Sequence, residues 1–139
     1  MKKRIIKILS AAALGIMVCS FNSFASSGTG TVYVGKNSVM TQAETGITRT
    51  GKYSYANVYP LSVFPTGNYE VDNYTKCKSA LYHHTKGNIM ISSVYTLTEG
   101  TTYSMTIKEG YLDQSQFDLC FAGNSPSLEA NILYMYDGK

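Results

Sequence analysis

The sequence predicts an all-β protein, an antiparallel β-sandwich of about seven to eight strands, with a small β-barrel as the alternative. Three observations carry this prediction: segments that alternate apolar and polar side chains, glycine-containing turns between them, and almost no helical periodicity. A period of two is typical of strands with one buried face. Many short strands with regular turns favour a sandwich or a barrel.

Several segments show the strand pattern clearly. In 102–108, Tyr103, Met105 and Ile107 alternate with polar side chains. Residues 131–136 are apolar on both faces, which predicts a strand in the middle of a sandwich. The predicted strands are 31–34, 38–42, 52–59, 77–83, 89–97, 102–108, 117–122 and 131–136.

Turn residues predict how these strands connect. Gly87 and Gly100 lie between neighbouring strand patterns, where glycine supplies the positive φ of a short hairpin. We therefore expect residues 77–108 to form a three-stranded meander. Pro60 and Pro65 cannot donate a hydrogen bond to a ladder, so residues 61–68 are predicted to be a crossover or an edge.

The N-terminus has the organisation of a cleavable export signal. Residues 1–7 carry four positive charges, the 11 residues 8–18 form an apolar run, and Ala25 closes a small-residue cleavage site. Eleven helical residues reach about 16 Å, short of the roughly 30 Å of a bilayer core, so no stable membrane span is predicted. We predict a signal peptide over 1–25 and a single β-sandwich domain over 26–139, with the general look of small β-domains that bacteria export.

Removing the predicted signal changes the charge balance. The whole chain has a net charge of +3, whereas residues 26–139 keep 8 basic and 9 acidic side chains. A near-neutral domain has no electrostatic footprint for nucleic acid or for an anionic membrane surface. Neither is therefore predicted as a partner.

Two cysteines remain after the predicted cleavage, Cys77 and Cys120. An even pair in an exported protein favours a disulfide. Strand alternation complicates this pairing, because it turns Cys77 inward with Leu81 and puts Cys120 on the same face as Asp118, opposite the apolar stripe. A disulfide needs one strand to be bulged or buried on both faces. The alternative is two unpaired thiols that act as small apolar side chains.

Residues for catalysis or metal binding are sparse. His83 and His84 form the only histidine pair in the sequence, and adjacent residues of a strand point to opposite faces, so they are not expected to share a metal. Glu70 and Asp72 share a face if that segment is extended, but a solvated acidic loop explains them better than a glycosidase pair or a calcium site. No serine lies in a Gly-x-Ser-x-Gly elbow. The sequence thus predicts no catalytic residue, no metal site and no cofactor.

Tyrosine is the most distinctive residue type, since all 12 tyrosines fall within residues 26–139. One group lies among polar and turn residues instead of on apolar stripes. Its members are Tyr53, Tyr55, Tyr59, Tyr69 and Tyr74. Rigid amphipathic rings suit contact with a protein and can stack on sugar rings. The alternative is that strands favour tyrosine on any half-buried face.

Three functional hypotheses follow. The first is a non-catalytic secreted binding module that recognises a glycan or a protein through residues 53–74. The second is a small secreted hydrolase or metal-dependent enzyme that uses His83 or His84. The third is a self-associating surface or structural protein whose exposed strand edges pair between copies.

Overall fold

The computed structural model describes residues 27–49, 53–66 and 74–138. This part of the chain is all-β, as predicted, with eight strands and one short 3-10 helix, Glu109–Tyr111. The strands are β1 (Ser27–Val34), β2 (Thr41–Thr48), β3 (Tyr55–Pro65), β4 (Lys76–His83), β5 (Tyr95–Thr98), β6 (Tyr103–Thr106), β7 (Gln116–Gly123) and β8 (Ala130–Asp137). The predicted export signal, residues 1–25, lies outside the described residues.

The eight strands form two four-stranded antiparallel sheets. The first sheet has the order β1-β8-β3-β6 and the second the order β2-β7-β4-β5, and neither closes into a barrel within the described residues. Val32 and Ile132 of the first sheet belong to the same buried apolar cluster as Leu81, Phe117 and Phe121 of the second. Both sheets therefore bury one face in a shared core, which is the arrangement of a β-sandwich.

The most apolar strands occupy the centres of the sheets. β8 lies between β1 and β3, as the apolar residues on both of its faces predict. β7 lies between β2 and β4, and seven of its eight residues are buried. A central strand is covered on both edges, so it buries more surface than an edge strand of the same length.

The predicted three-stranded meander over residues 77–108 is wrong at its third strand. β4 pairs with β5 in the second sheet, but β6 pairs with β3 in the first. The Glu99–Gly100 turn thus carries the chain from one sheet to the other. Alternation does not distinguish the two arrangements, because Leu97 and Met105 are fully buried in the shared core in either case.

The prediction that residues 61–68 form a crossover or an edge is confirmed as an edge over 61–65, because β3 continues to Pro65 and β8 is its one strand partner there in the described structure. Two features explain how Pro60 is tolerated in this sheet. The register of β3 against β8 shifts between Pro60 and Ser62, which places the proline at a bulge. β6 pairs only with Tyr55–Val58, so it does not extend as far as Pro60 on the other edge of β3. Bulges and unpaired strand edges are where sheets accept proline.

The disulfide predicted between Cys77 and Cys120 is not formed, and both residues are buried free thiols. Cys77 belongs to the core cluster, whereas Cys120 pairs across the strands with Ala80 on the outer face of the second sheet. The alternation expected from the sequence is therefore present. The two sulfurs lie on opposite faces of the sheet because neither β4 nor β7 is bulged where they pair.

Within the described residues, no helix has the length and apolar character needed to cross a membrane.

Candidate binding face and the His84–Asp118 pair

The N-terminal half of β3 directs tyrosines away from the core. Ala56 and Val58 are each 1% exposed, so their neighbours Tyr55, Asn57 and Tyr59 point to the outer face of the first sheet. Tyr55 and Tyr59 are half-buried there and are separated by about 13 Å of extended chain. We call the outer face of the first sheet the tyrosine face.

Tyr53 precedes β3 and extends this row of rings. Its ring centroid lies 5.5 Å from that of Tyr55, with the two planes tilted by 50°. Tyr53 is 46% exposed. Between Tyr55 and Tyr59 along the strand, Asn57 accepts a 2.8 Å hydrogen bond from Oγ of Ser104. The row therefore offers rings for stacking beside an oriented amide and a hydroxyl.

Strand β8 continues the tyrosine face with apolar side chains. Ile132 and Tyr134 point into the core, so Leu133 and Met135 point outward, where they are half-buried. Met135 lies directly opposite Tyr59 in the pairing of β8 with β3. The centre of the face is thus an apolar patch bordered by amides and hydroxyls.

The first sheet carries almost no charge. In its four strands Asp137, the last residue of β8, is the single charged residue. Strands of the second sheet contain Glu44, Lys76, Lys78 and Asp118. Depletion of charge together with enrichment in tyrosine and methionine is typical of the centre of a protein interface.

The structure divides the five predicted contact tyrosines. Tyr53, Tyr55 and Tyr59 lie together on the tyrosine face, whereas Tyr74 precedes β4 of the second sheet and packs against the core. Tyr69 lies outside the described residues.

Sequence reasoning missed another tyrosine of this face. Tyr33 of β1 is 52% exposed and points outward between the buried Val32 and Val34. Its signal was present in the alternation of residues 31–34, where Tyr33 lies between two valines that point to the other face.

Arg49 is the second residue that sequence reasoning missed, and it positions Tyr53. The Arg49 side chain is buried, and its guanidinium donates to the carbonyl oxygens of Tyr53, Leu112 and Gln114. Burial lowers the pKa of Arg49. The three carbonyls replace part of the hydration that a buried cation loses, so Arg49 fixes the backbone at the start of the tyrosine row.

A polar site lies on the opposite side of the sandwich, where Asp118 of β7 points to the outer face of the second sheet. Its side chain is 7% exposed. Oδ1 accepts from the backbone N–H of Gly46 at 2.9 Å and from Oγ1 of Thr45 at 3.1 Å, and Oδ2 accepts from Nε2 of Gln42 at 3.1 Å. These donors compensate for the desolvation of a buried carboxylate.

His84 is the fourth partner of Asp118. Nδ1 of His84 lies 2.8 Å from Oδ1 of Asp118, and Oγ1 of Thr45 lies 3.4 Å from the same ring nitrogen. A carboxylate facing Nδ1 favours the tautomer that carries its proton there, which leaves the lone pair on Nε2. The side chain of His84 is 33% exposed. Oriented imidazoles of this kind can accept a proton or a hydrogen bond.

Strand β2 is shaped around this pair. Its register against β7 shifts twice, between Gln42 and Glu44 and between Glu44 and Ile47. Gly46 in the second shift has φ of +65°. A Cβ at Gly46 would lie 3.3 Å from Cε1 of His84, so the ring packs closely on this glycine. Bulges of this kind re-aim backbone and side chains, and here they direct the Gly46 N–H at Asp118.

His83 points the other way, as predicted for adjacent residues of a strand. It is 8% exposed, and its ring meets that of Tyr111 edge-on with centroids 6.3 Å apart. Oγ1 of Thr85 lies 3.3 Å from its Nδ1. The two histidines therefore belong to different environments, and His83 has the position of a core-edge residue.

Within the described residues, no group of three or more His, Cys, Asp and Glu side chains is placed to hold a metal ion. Comparison of the chain with protein families, with curated proteins and with solved structures finds no match. The tyrosine face and the His84–Asp118 pair are therefore the two candidate sites of the described structure.

Proposed function

We propose that this protein is a secreted, non-catalytic binding module that holds a glycan or a protein ligand against the tyrosine face. The observation that carries the proposal is the placement of Tyr53, Tyr55 and Tyr59 on one side of the first sheet. Strand β3 holds Tyr55 and Tyr59, and Arg49 together with the ring of Tyr55 holds Tyr53, so the rings are in place before a ligand arrives. Such preorganisation lowers the entropic cost of binding.

Two parts of the face would serve the two ligand classes differently. A glycan would stack on the rings of Tyr55 and Tyr59 and exchange hydrogen bonds with Asn57 and Ser104. A protein ligand would cover Met135 and its apolar neighbours, with the amides and hydroxyls forming a polar rim. Both modes use Tyr59, which lies beside Met135.

The test is a screen of purified residues 26–139 against glycan and protein collections, followed by measured affinities for variants. We expect Tyr59→Ala to weaken binding of the selected ligand at least about tenfold, because truncating an aromatic hot-spot residue costs roughly 2 kcal/mol or more of binding free energy. Val94→Ala is the matched control, since Val94 is 48% exposed outside the first sheet. Tyr59→Phe separates stacking, which it keeps, from hydrogen bonding by the hydroxyl.

Two results would count against this function. A ligand held equally well by wild type, Tyr55→Ala and Tyr59→Ala binds elsewhere on the protein. Failure of both screens to yield a ligand would remove the binding-module proposal altogether.

A hydrolase that uses His84 is the second candidate, and the 2.8 Å contact between His84 and Asp118 is the observation in its favour. Nε2 of His84 would act as a general base toward water. The hydroxyl of Thr45 lies on the Nδ1 side and already donates to Asp118, so it does not have the position of a nucleophile. Turnover of ester or glycoside substrates that disappears in His84→Gln and persists in His83→Gln would establish this activity.

A further inference from the structure

The two sheets have four edge strands, and three of them are protected against pairing with another chain. β5 and β6 are each four residues long. The backbone N–H of Thr98 in β5 donates to the hydroxyl of Tyr103, and that of Thr106 in β6 donates to the hydroxyl of Tyr95. Four-residue strands that each have one backbone donor already occupied present little backbone to a partner.

Edge strand β2 is protected in a different way. It is bulged twice and carries Glu44, whose carboxylate accepts a 2.8 Å hydrogen bond from the hydroxyl of Tyr134. Gly46 at positive φ turns the strand toward Asp118. Bulges and charged side chains are the devices by which natural sheets keep an edge from adding a further strand.

Edge strand β1 has no bulge, no charged residue and no proline, although the Glu44 side chain of β2 packs against it at Gly30. It is eight residues long, and its register against β8 runs from Ser27 to Val34 without a shift. Its sequence, SGTGTVYV, contains no charged residue and no proline. Thr29 and Thr31 are exposed, and within the described part of the chain β8 is the single strand that pairs with β1. Alternate backbone N–H and C=O groups of an edge strand point away from its sheet and are free to pair.

We infer that β1 is a dimerisation edge, at which the β1 strands of two copies pair antiparallel around a twofold axis. The two first sheets then join into one continuous eight-stranded sheet. This inference goes beyond the proposed binding function and does not depend on it. It also places two tyrosine faces side by side, so that a repetitive ligand is held at two points with a gain in avidity.

A second copy is the partner that suits β1, because the strand is complementary to itself. Antiparallel pairing of identical strands is isologous and closes after two subunits. Thr29 and Thr31 of one strand then lie near the same residues of the other, and threonine pairs across antiparallel strands are favourable. No like charges meet, since β1 has none.

The experiment is light scattering of residues 26–139, without a tag, over a rising series of concentrations. We expect the wild-type mass to rise from one chain to two and then remain constant. Thr31→Lys places two lysines near the axis and should keep the protein monomeric over the same range. Thr29→Lys is an independent second variant. Thr48→Lys, an exposed position on the bulged edge β2, is the control and should dimerise like wild type.

Each variant is first compared with wild type by far-ultraviolet circular dichroism and unfolding midpoint, so that loss of folding is not mistaken for loss of dimer. Amide hydrogen exchange supplies a second readout, with β1 more protected at the higher protein concentration. A wild-type protein that stays monomeric throughout would overturn the inference. Dimers that persist in both β1 lysine variants, or a mass that grows without limit, would overturn it as well.

Discussion

Nδ1 of His84 and Oδ1 of Asp118 lie 2.8 Å apart, although 34 positions separate the two residues in the sequence. Asp118 also accepts from Gly46, Thr45 and Gln42 of β2. One buried carboxylate therefore ties the edge strand β2 to β7 and to the end of β4. Because these hydrogen bonds all end on the Asp118 carboxylate, replacing that carboxylate should destabilise the second sheet.

Asp118→Asn is expected to lower the free energy of unfolding by about 2–3 kcal/mol, because an amide replaces one acceptor oxygen by a donor and loses the charge-assisted hydrogen bonds. Urea unfolding at neutral pH measures the change. Asp113→Asn is the control, because Asp113 is exposed and hydrogen-bonds only to the neighbouring Gln114 in the described structure. An Asp118→Asn protein as stable as Asp113→Asn would mean that the carboxylate does not hold the sheet together.

Gly46→Ala should destabilise the protein through two separable effects. An alanine at φ of +65° is strained by about 1–2 kcal/mol, and its Cβ would also press on Cε1 of His84 at 3.3 Å. Gly100→Ala isolates the first effect, since Gly100 has φ of +78° and no atom within 4 Å of a Cβ there. We expect Gly46→Ala to lower the unfolding midpoint further than Gly100→Ala. Equal midpoints would show that His84 moves away from position 46 without cost.

The alternation of side chains predicted most of the strands because it depends on residues that are neighbours in sequence. The same logic correctly oriented Cys77 and Cys120, and it separated His83 from His84. It failed for β6, since a strand that crosses to the opposite sheet buries the same residues as one that continues in its own sheet. Which sheet a strand joins is decided by pairing partners far away in the chain.

The candidate sites were partly predictable for the same reason. Tyr55 and Tyr59 share a face by simple parity, so the sequence predicts their proximity to one surface. Asp118 and His84 are brought together by the pairing of β4 with β7. Gly46 lies next to them because β2 is bulged, and no pattern of neighbouring residues predicts those bulges. Arginine is usually a surface residue, so the sequence gives no reason to expect Arg49 to be buried. Its burial depends on three backbone carbonyls that come together only in the fold.

Arg49→Ala is expected to cost about 2–4 kcal/mol of unfolding free energy, because three backbone carbonyls lose a charged donor in a buried site. One of these carbonyls belongs to Tyr53, so the same variant should also weaken the binding of any ligand to the tyrosine face. Urea unfolding and ligand titration measure the two effects. Lys108→Ala serves as control, since Lys108 is exposed and donates to the Met90 carbonyl at the surface. If the two variants unfold alike, the guanidinium contributes no more than a surface amine.

Cys77 and Cys120 are expected to resist alkylation in the folded protein. Burial raises the pKa of each thiol from 9.0 to about 12, so the reactive thiolate is scarce at pH 8. Iodoacetamide should therefore modify neither cysteine in the native state and both after unfolding in urea without reductant, as read from intact mass. A protein that takes up no label after unfolding until a reductant is added contains the disulfide, and the pairing of β4 with β7 would then have to differ.

The same two thiols should make the protein less stable as the pH rises above 9. Each thiol has its ordinary pKa of 9.0 in the unfolded chain and one of about 12 in the fold, so between these values the folded state binds more protons than the unfolded state. The free energy of unfolding must then fall with increasing pH across this window, and it is unaffected by the thiols below it.

Replacing both cysteines by alanine lowers stability at every pH, because cavities form, but it should flatten the decline between pH 9 and 11. The comparison is a series of urea titrations of wild type and the double variant. Tyr134 and Tyr136, whose pKa values burial also raises, contribute equally to both, whereas the pKa of Tyr82 is raised by burial and by Cys120 and so changes with the variant. Parallel curves would show that the thiols ionise as readily in the fold as in the unfolded chain.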